Sequence, residues 1–166
     1  MDPVADLVRL LARRPATRAD GAQALRRKGH AEEAIERTLD HAVERGFIDD
    51  AKLAYDFIVA RTARLGRGRD RLVAELEARG VERATAAAAW TRAAEAGDLD
   101  EDDALRRAVR RRIAAGGSLT DERRYARVYN ALLRDGFDRD AVETALEPHR
   151  AVLDRSVEPL VEGNDR

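Results

Sequence analysis

The chain contains no cysteine, which excludes disulfides, thiolate nucleophiles and Cys-ligated metal sites. Nothing in its 166 residues approaches the run of about 18 uninterrupted apolar positions that a membrane helix needs. The first residues carry no basic-then-apolar signal pattern either, so the expected location is the cytosol. Serine occurs only as Ser118 and Ser156, and histidine only as His30, His41 and His149. No nucleophile therefore stands beside a base, and no enzyme activity is expected. Large apolar side chains are also scarce. Hydrophobic residues make up 44% of the chain, but 32 of them are Ala and aromatics reach only 4%. Such a supply suits several small cores better than one large one.

Proline is confined to Pro3, Pro15, Pro148 and Pro159, and the long stretch between the second and third is rich in Ala, Leu, Arg and Glu, all strong helix formers. Within it, apolar residues recur at helical spacing, as in Ile35, Leu39 and Val43, or Leu53, Phe57 and Ile58. Gly29, Gly46, Gly80, Gly97 and Gly136 each follow a periodic segment, as helix-ending glycines do. Asp2, Thr17, Asp49, Thr120 and Asp138 stand as N-cap candidates. The expected fold class is all-α.

A Leu-x-x-x-Gly pattern opening onto a new helix occurs three times, from Leu25, Leu76 and Leu132 to Gly29, Gly80 and Gly136. A further helix precedes each, around 3–14, 50–64 and 101–115. The chain thus divides into three tandem three-helix, helix-turn-helix-like modules at 1–46, 47–97 and 98–148, with a polar, flexible tail at 149–166. Each module has only enough core to be marginal alone, so the modules are expected to lean on one another in an elongated molecule, flexing near 46–49 and 97–98.

Several motifs have partial likeness to sites that carry chemistry. His41 and Glu44 could share a metal from one helix face, but no second pair supports them, and no metal is expected. The acidic run 98–103 resembles a calcium loop, yet it has Asp103 where the turn-forming Gly belongs and Val109 where the bidentate Glu belongs. It is better taken as an acidic helix start. Gly66-Arg-Gly68 opens a helix, but no strand precedes it and no Gly-Lys-Ser/Thr follows. No cofactor is expected.

Charge is distributed unevenly beneath a net −1. Of the 31 basic residues only Lys28 and Lys52 are Lys, and Arg offers planar two-point contacts to carboxylates and phosphates. Arg61, Arg64, Arg67, Arg69 and Arg71 face only Asp70 between positions 61 and 71. They straddle a Gly-containing turn, which would fan guanidiniums from two helix ends toward a phosphate backbone or an acidic protein groove. A solvated turn accounts for them equally well. Arg106 and Arg107 fit intrahelical pairs with Asp102 and Asp103. Phe47, Phe57, Trp90, Phe137 and Tyr125 fall at apolar positions and are expected in the core, with Tyr55 and Tyr129 partly exposed and no aromatic interleaved with the basic clusters.

Leu10-Leu-Ala-Arg-Arg14, Thr17 and Leu25-Arg-Arg-Lys-Gly29 resemble the opening module of the RecX family of RecA regulators. Ile48-Asp-Asp50 with Leu53, Ala54, Phe57, Val59 and Arg61, then Gly66-x-Gly68, Arg71-Leu72 and Leu76-x-x-x-Gly80-Val81, is similar to its second module. Residues 123–146 resemble its third, and the resemblance spans about 4–148. Gly21, His30 and Leu53 depart from the pattern, and Ala86 and Trp90 make an unusual second-module helix. The resemblance implies a curved rod of three-helix modules that lies in the groove of the RecA–single-stranded DNA filament. It further implies inhibition of the filament's ATPase, strand-exchange and co-protease activities, and binding of DNA, single-stranded and also double-stranded. The expected contact residues are Arg61, Arg64, Arg67, Arg69 and Arg71, helped by Arg13 and Arg14; the expected form is a cytosolic monomer. A repeated helix-turn-helix DNA-binding protein and a purely structural helical adaptor are the alternatives. Against the first, the helix at 31–45 begins Ala-Glu-Glu and that at 83–96 is Ala-rich, so neither suits base readout.

Overall fold

A computed structural model describes residues 2–115 and 122–154, with side chains described as far as His149. Among these residues there are nine helices and no strand. They are α1 (Pro3–Leu11), α2 (Arg18–Arg27), α3 (Glu32–Glu44), α4 (Asp50–Leu65), α5 (Arg69–Glu77), α6 (Arg83–Glu95), α7 (Glu101–Ala114), α8 (Glu122–Arg134) and α9 (Arg139–Asp154). None of the described helices is long and apolar enough to cross a membrane. Side-chain caps start many of them: Asp2 accepts from Val4 N, Asp49 from Lys52 N and Asp100 from Asp103 N. Thr17 and Asp20 form a reciprocal capping box on α2, and Asp138 accepts from the amides of Asp140 and Ala141 at the start of α9. The expected cap Thr120 lies outside the described residues.

The helix ends explain the Leu-x-x-x-Gly repeat. Gly29, Gly80 and Gly136 all have φ near +80°, and the amide after each reaches back to the Leu carbonyl: His30 to Leu25, Val81 to Leu76, Phe137 to Leu132. This is the Schellman closure, which pairs the residue after the Gly with the one five before it. In the second and third units both members of that pair are apolar and buried.

Each unit has its own apolar cluster. The first holds Leu7, Leu25, Ile35, Leu39 and Ile48; the second is built around Ile58, Leu72, Leu76 and Trp90; the third around Leu105, Leu132, Phe137 and Leu146. Ile48 and Leu99, from the connections before α4 and α7, belong to the preceding cluster in each case. The apolar residue two places after each helix-ending Gly folds back onto the core that the chain has just left.

Two sequence oddities of the first unit find physical roles. A Cβ on Gly21 would lie 2.8 Å from Leu39 Cδ2 and 3.3 Å from Leu7 Cδ1, so the absent side chain lets α2 settle onto α1 and α3. His30 fills the apolar position after Gly29 with a buried ring whose Nε2–H donates to Asp6 Oδ2 at 2.9 Å. Asp6 also takes Lys28 Nζ at 2.6 Å and Arg9 at 2.5 Å, and the bonds from Lys28 and His30 hold its carboxyl down to about 2. A buried polar group is tolerated here because its acceptors are filled.

Phe47 corrects an expectation. It is 69% exposed, because Ile48 rather than Phe47 turns inward. The third unit also runs on: α9 continues through Pro148 to Asp154, past the expected boundary at 148. Proline deprives only the Thr144 carbonyl of a helical donor, and both residues face solvent, where water can take that role. The rest of the expected tail lies outside the described residues.

The units are joined by one arrangement used twice. The end of α5 abuts the start of α2: Thr17 Oγ1 donates to the Arg79 carbonyl at 2.9 Å, and Gly80 packs so closely on Ala19 that a Cβ would overlap it. The end of α8 abuts the start of α5 in the same sense, with Gly68 N donating to the Asp135 carbonyl at 2.9 Å and Asp70 N to the Gly136 carbonyl at 3.1 Å. At the α8–α5 joint orphan amides of one helix start thus satisfy orphan carbonyls of another helix end, and at the α5–α2 joint the Thr17 hydroxyl takes the donor's part. Acidic residues brace each joint. Asp50 accepts from Arg18 N at 3.0 Å and Glu101 from Arg69 N at 3.3 Å, and burial raises the pKa of both carboxyls despite that bond. The connections at 46–49 and 97–98, where flexing was expected, are therefore bridged by contacts on their far side.

Candidate interaction groove

The joints settle what Gly66-Arg-Gly68 does. Its amides do not point at an open anion site: Gly68 N and Asp70 N are already donating to the α8–α9 turn. A Cβ on Gly68 would lie 2.6 Å from Phe137 N, so the second glycine is a close-approach residue. Gly66 takes the left-handed conformation that ends α4, at φ 57°, and Arg111 donates to the Leu65 carbonyl beside it at 3.3 Å.

The arginines around this turn do not fan outward as a free cationic set. Arg61, Arg67 and Arg71 converge on one carboxylate, Glu75 on α5. Arg61 Nη1 meets Oε2 at 3.2 Å and Arg71 Nε meets Oε1 at 3.0 Å, with Arg67 also on Oε1. Arg71 further donates to the Arg134 carbonyl at 3.2 Å, tying the cluster to the third unit. Glu75 lies four residues beyond the 61–71 window, so the local excess is partly neutralised from outside it. Arg64 and Arg69 are exposed and apart from the cluster, Arg69 being 4.0 Å from Asp70. Arg13 is exposed on the first unit, and Arg14 pairs with Asp20 at 3.3 Å.

A groove runs over this cluster along the outer face of α5. Its wide end, about 660 Å³, lies between the first two units and is lined by Arg14, Pro15, Leu53, Phe57, Arg61 and Arg79, among others. Glu75 and Ala78 also line the next hollow, about 390 Å³, which continues past Arg71 to Leu133 and Arg134 of the third unit. All three units therefore contribute to one surface, because the head-to-tail joints place α2, α5 and α8 in series. Of the seven arginines expected in the site, Arg14, Arg61 and Arg71 line the groove and Arg67 buttresses it.

Phe57 and Arg79 are the groove residues that sequence reasoning missed. Phe57 is not a core residue but a half-buried platform. The Arg61 guanidinium carbon is 4.5 Å from its ring centre and that of Arg79 5.6 Å. The expectation that no aromatic mixes with the basic clusters fails here, since helical spacing of one turn sets Arg61 over Phe57 while Arg79 arrives from α5. Arg79 also meets Asp20 at 3.4 Å. Burial raises the pKa of Asp20, yet the Thr17 amide and the charges of Arg14 and Arg79 outweigh it, leaving the group below its ordinary value. A similar pair occurs at Tyr55, which lies under Arg92 at 4.5 Å and donates to Asp98.

Of the 106–112 arginines, two pair within their own helix and two reach other elements, Arg111 to the Leu65 carbonyl and Arg112 to Asp135. The two intrahelical partners, Arg106 and Arg107, both meet Asp103. No group of three His, Cys, Asp or Glu suited to a metal is found among the described residues. The helices that would have to read bases in a helix-turn-helix protein are poorly equipped. In α3 the exposed first turn carries Glu32 and Glu33, and α6 spends Ala86, Ala89, Trp90 and Ala93 on the core.

Similar proteins were found by sequence and by structure. The regulatory protein RecX of Thermobifida fusca is 40% identical over 130 residues, covering 78% of this chain and 69% of that one. RecX of Halorhodospira halophila is 36% identical over 138 residues, covering 83% and 82%. RecX of Amycolatopsis mediterranei is 33% identical over 141 residues, covering 83% and 77%. The crystal structure of RecX from Lactobacillus salivarius superposes with a TM-score of 0.74 at 16% identity, over 90% of this chain and 95% of that one. A second RecX crystal structure gives 0.75, also at 16% identity, over 90% and 71%. No protein-family model matches the chain.

Proposed function

Because the chain belongs to the RecX family of regulatory proteins, we propose that it binds the RecA recombinase filament, and DNA with it, and inhibits the filament's ATPase, strand-exchange and co-protease activities. Recombinational repair and the SOS response are the processes it would modulate, acting as a cytosolic monomer. One observation carries this proposal: a single groove crosses three docked units and presents guanidiniums from each segment of its length. A partner with a repeating surface can engage such a groove at several weak points, and linked weak contacts multiply into avidity without any one being strong. Arg14, Arg61, Arg71 and Arg79 serve as the groove contacts. Arg13, Arg64 and Arg69, exposed outside it, serve as supplementary phosphate contacts, and Arg67 positions its neighbours through Glu75.

Titrating the protein into a RecA ATPase reaction on single-stranded DNA tests the proposal. Hydrolysis is expected to fall in a saturable way at low micromolar protein or below. Unaltered hydrolysis at saturating protein would sink it.

A further inference from the structure

The two ends of the groove are unlike. The end between the first and second units has an apolar floor of Pro15, Leu53 and Ala78 beside Phe57, flanked by Arg14, Arg61 and Arg79. We propose that this end is a docking seat for an acidic protein segment that carries one aliphatic side chain. The side chain rests on Pro15, Leu53 and Ala78, and its flanking carboxylates meet Arg14, Arg61 and Arg79. The proposal rests on the RecA-binding one only in taking a protein as the partner.

Three features favour a peptide over a nucleic acid strand. First, single-stranded nucleic acid is gripped by stacking bases on open aromatic faces. Here Phe57 already carries the guanidiniums of Arg61 and Arg79. An arginine stacked on a ring keeps its N–H edge outward, which suits the two oxygens of a carboxylate. Second, Asp56 and Glu75 also line this end. A phosphate backbone, with a charge at every step, would have to pass them, whereas a peptide can set its carboxylates against the arginines and an uncharged residue against Asp56. Third, the floor is apolar, and burying one aliphatic side chain there adds affinity that a sugar-phosphate chain cannot supply. The charges are also incompletely matched within the chain: Arg14 and Arg79 share the single carboxylate Asp20, at 3.3 and 3.4 Å.

The test uses the full chain and a short fluorescent peptide of Glu and Asp with one central Leu, read by anisotropy. A matched peptide with Ser for Leu and an oligo(dT) strand serve as competitors. The Leu peptide should bind, the Ser peptide should bind less tightly, and oligo(dT) should displace it poorly. Arg61→Gln/Arg79→Gln should weaken the Leu peptide by about tenfold or more. Arg37→Gln, a charge loss on an exposed face of α3, should not, and circular dichroism of the double variant should match the parent. Absence of binding, equal binding of the two peptides, no loss in the folded double variant, or displacement by oligo(dT) at lower concentration than by the peptide would overturn the proposal. If the seat fails while the parent protein still slows the RecA ATPase, the acidic-segment proposal falls and the regulatory one stands; loss of both readouts refutes the regulatory one as well.

Discussion

Replacing Gly136 by Ala is expected to cost far more than replacing Gly97, although both have φ between +75° and +87°. A Cβ in the left-handed region costs about 1–2 kcal/mol wherever it is placed. At Gly97 nothing lies within 4 Å of it, so that is the whole penalty. At Gly136 the Cβ would lie 2.9 Å from Arg71 Cα and 2.5 Å from Arg71 Cβ, and the backbone of a capped helix start cannot step aside. The collision is relieved only by parting α8 from α5, which breaks the bonds from Gly68 N and Asp70 N and orphans the carbonyls they serve. Two lost joint bonds and the strain together put Gly136→Ala about 3 kcal/mol or more below the parent, or about 6–12 °C in Tm for a chain of this size. The third unit, marginal on its own core, should then melt ahead of the other two, turning one calorimetric transition into two. Equal Tm losses for the Gly136 and Gly97 variants would show that the joint contributes nothing.

Glu75→Gln should make the groove more strongly cationic. Arg61, Arg67 and Arg71 share that one carboxylate, and Gln keeps its shape without its charge. The side chains are one-quarter to two-fifths exposed, so solvent screening limits the stability cost to about 1 kcal/mol. The effect on polyanions is larger. Each phosphate neutralised on a single strand contributes about 0.7 to the slope of log K against log salt, so three released guanidiniums can steepen it by about 2. Oligo(dT) binding measured across a salt series should therefore be tighter at low salt and fall more steeply than for the parent. An unchanged slope would mean that these arginines never face the ligand.

Much of the architecture could be read from periodicity and punctuation. The helix-ending glycines and the caps Asp2, Thr17 and Asp49 announce local structure, because a positive φ or an orphan amide is a demand made by neighbours in sequence. The joints were harder to read because their partners are remote. Gly68 looks like part of a phosphate loop until Gly136 is seen against it, more than sixty residues away. A signal for the joints was nevertheless present. Ile48-Asp-Asp50 and Leu99-Asp-Glu101 follow Gly46 and Gly97 at the same spacing, and in each the first acid caps its own helix while the second braces the joint. Taking the second copy as only an acidic helix start hid that repeat. The groove was legible in part. Arg61 and Arg71 could be picked out by local charge, but Glu75 sits just beyond the charged run, and although Arg61 stands one helical turn from Phe57, nothing in the sequence brings Arg79 to the same ring.

The central claim, that regulation works through the groove along α5, is tested most directly by filament ATPase inhibition with Arg61→Gln/Arg71→Gln/Arg79→Gln. The variant should retain its helical circular dichroism and need about tenfold or more protein than the parent for the same inhibition, with the gap narrowing as salt rises. A folded triple variant that inhibits as strongly as the parent would contradict the account.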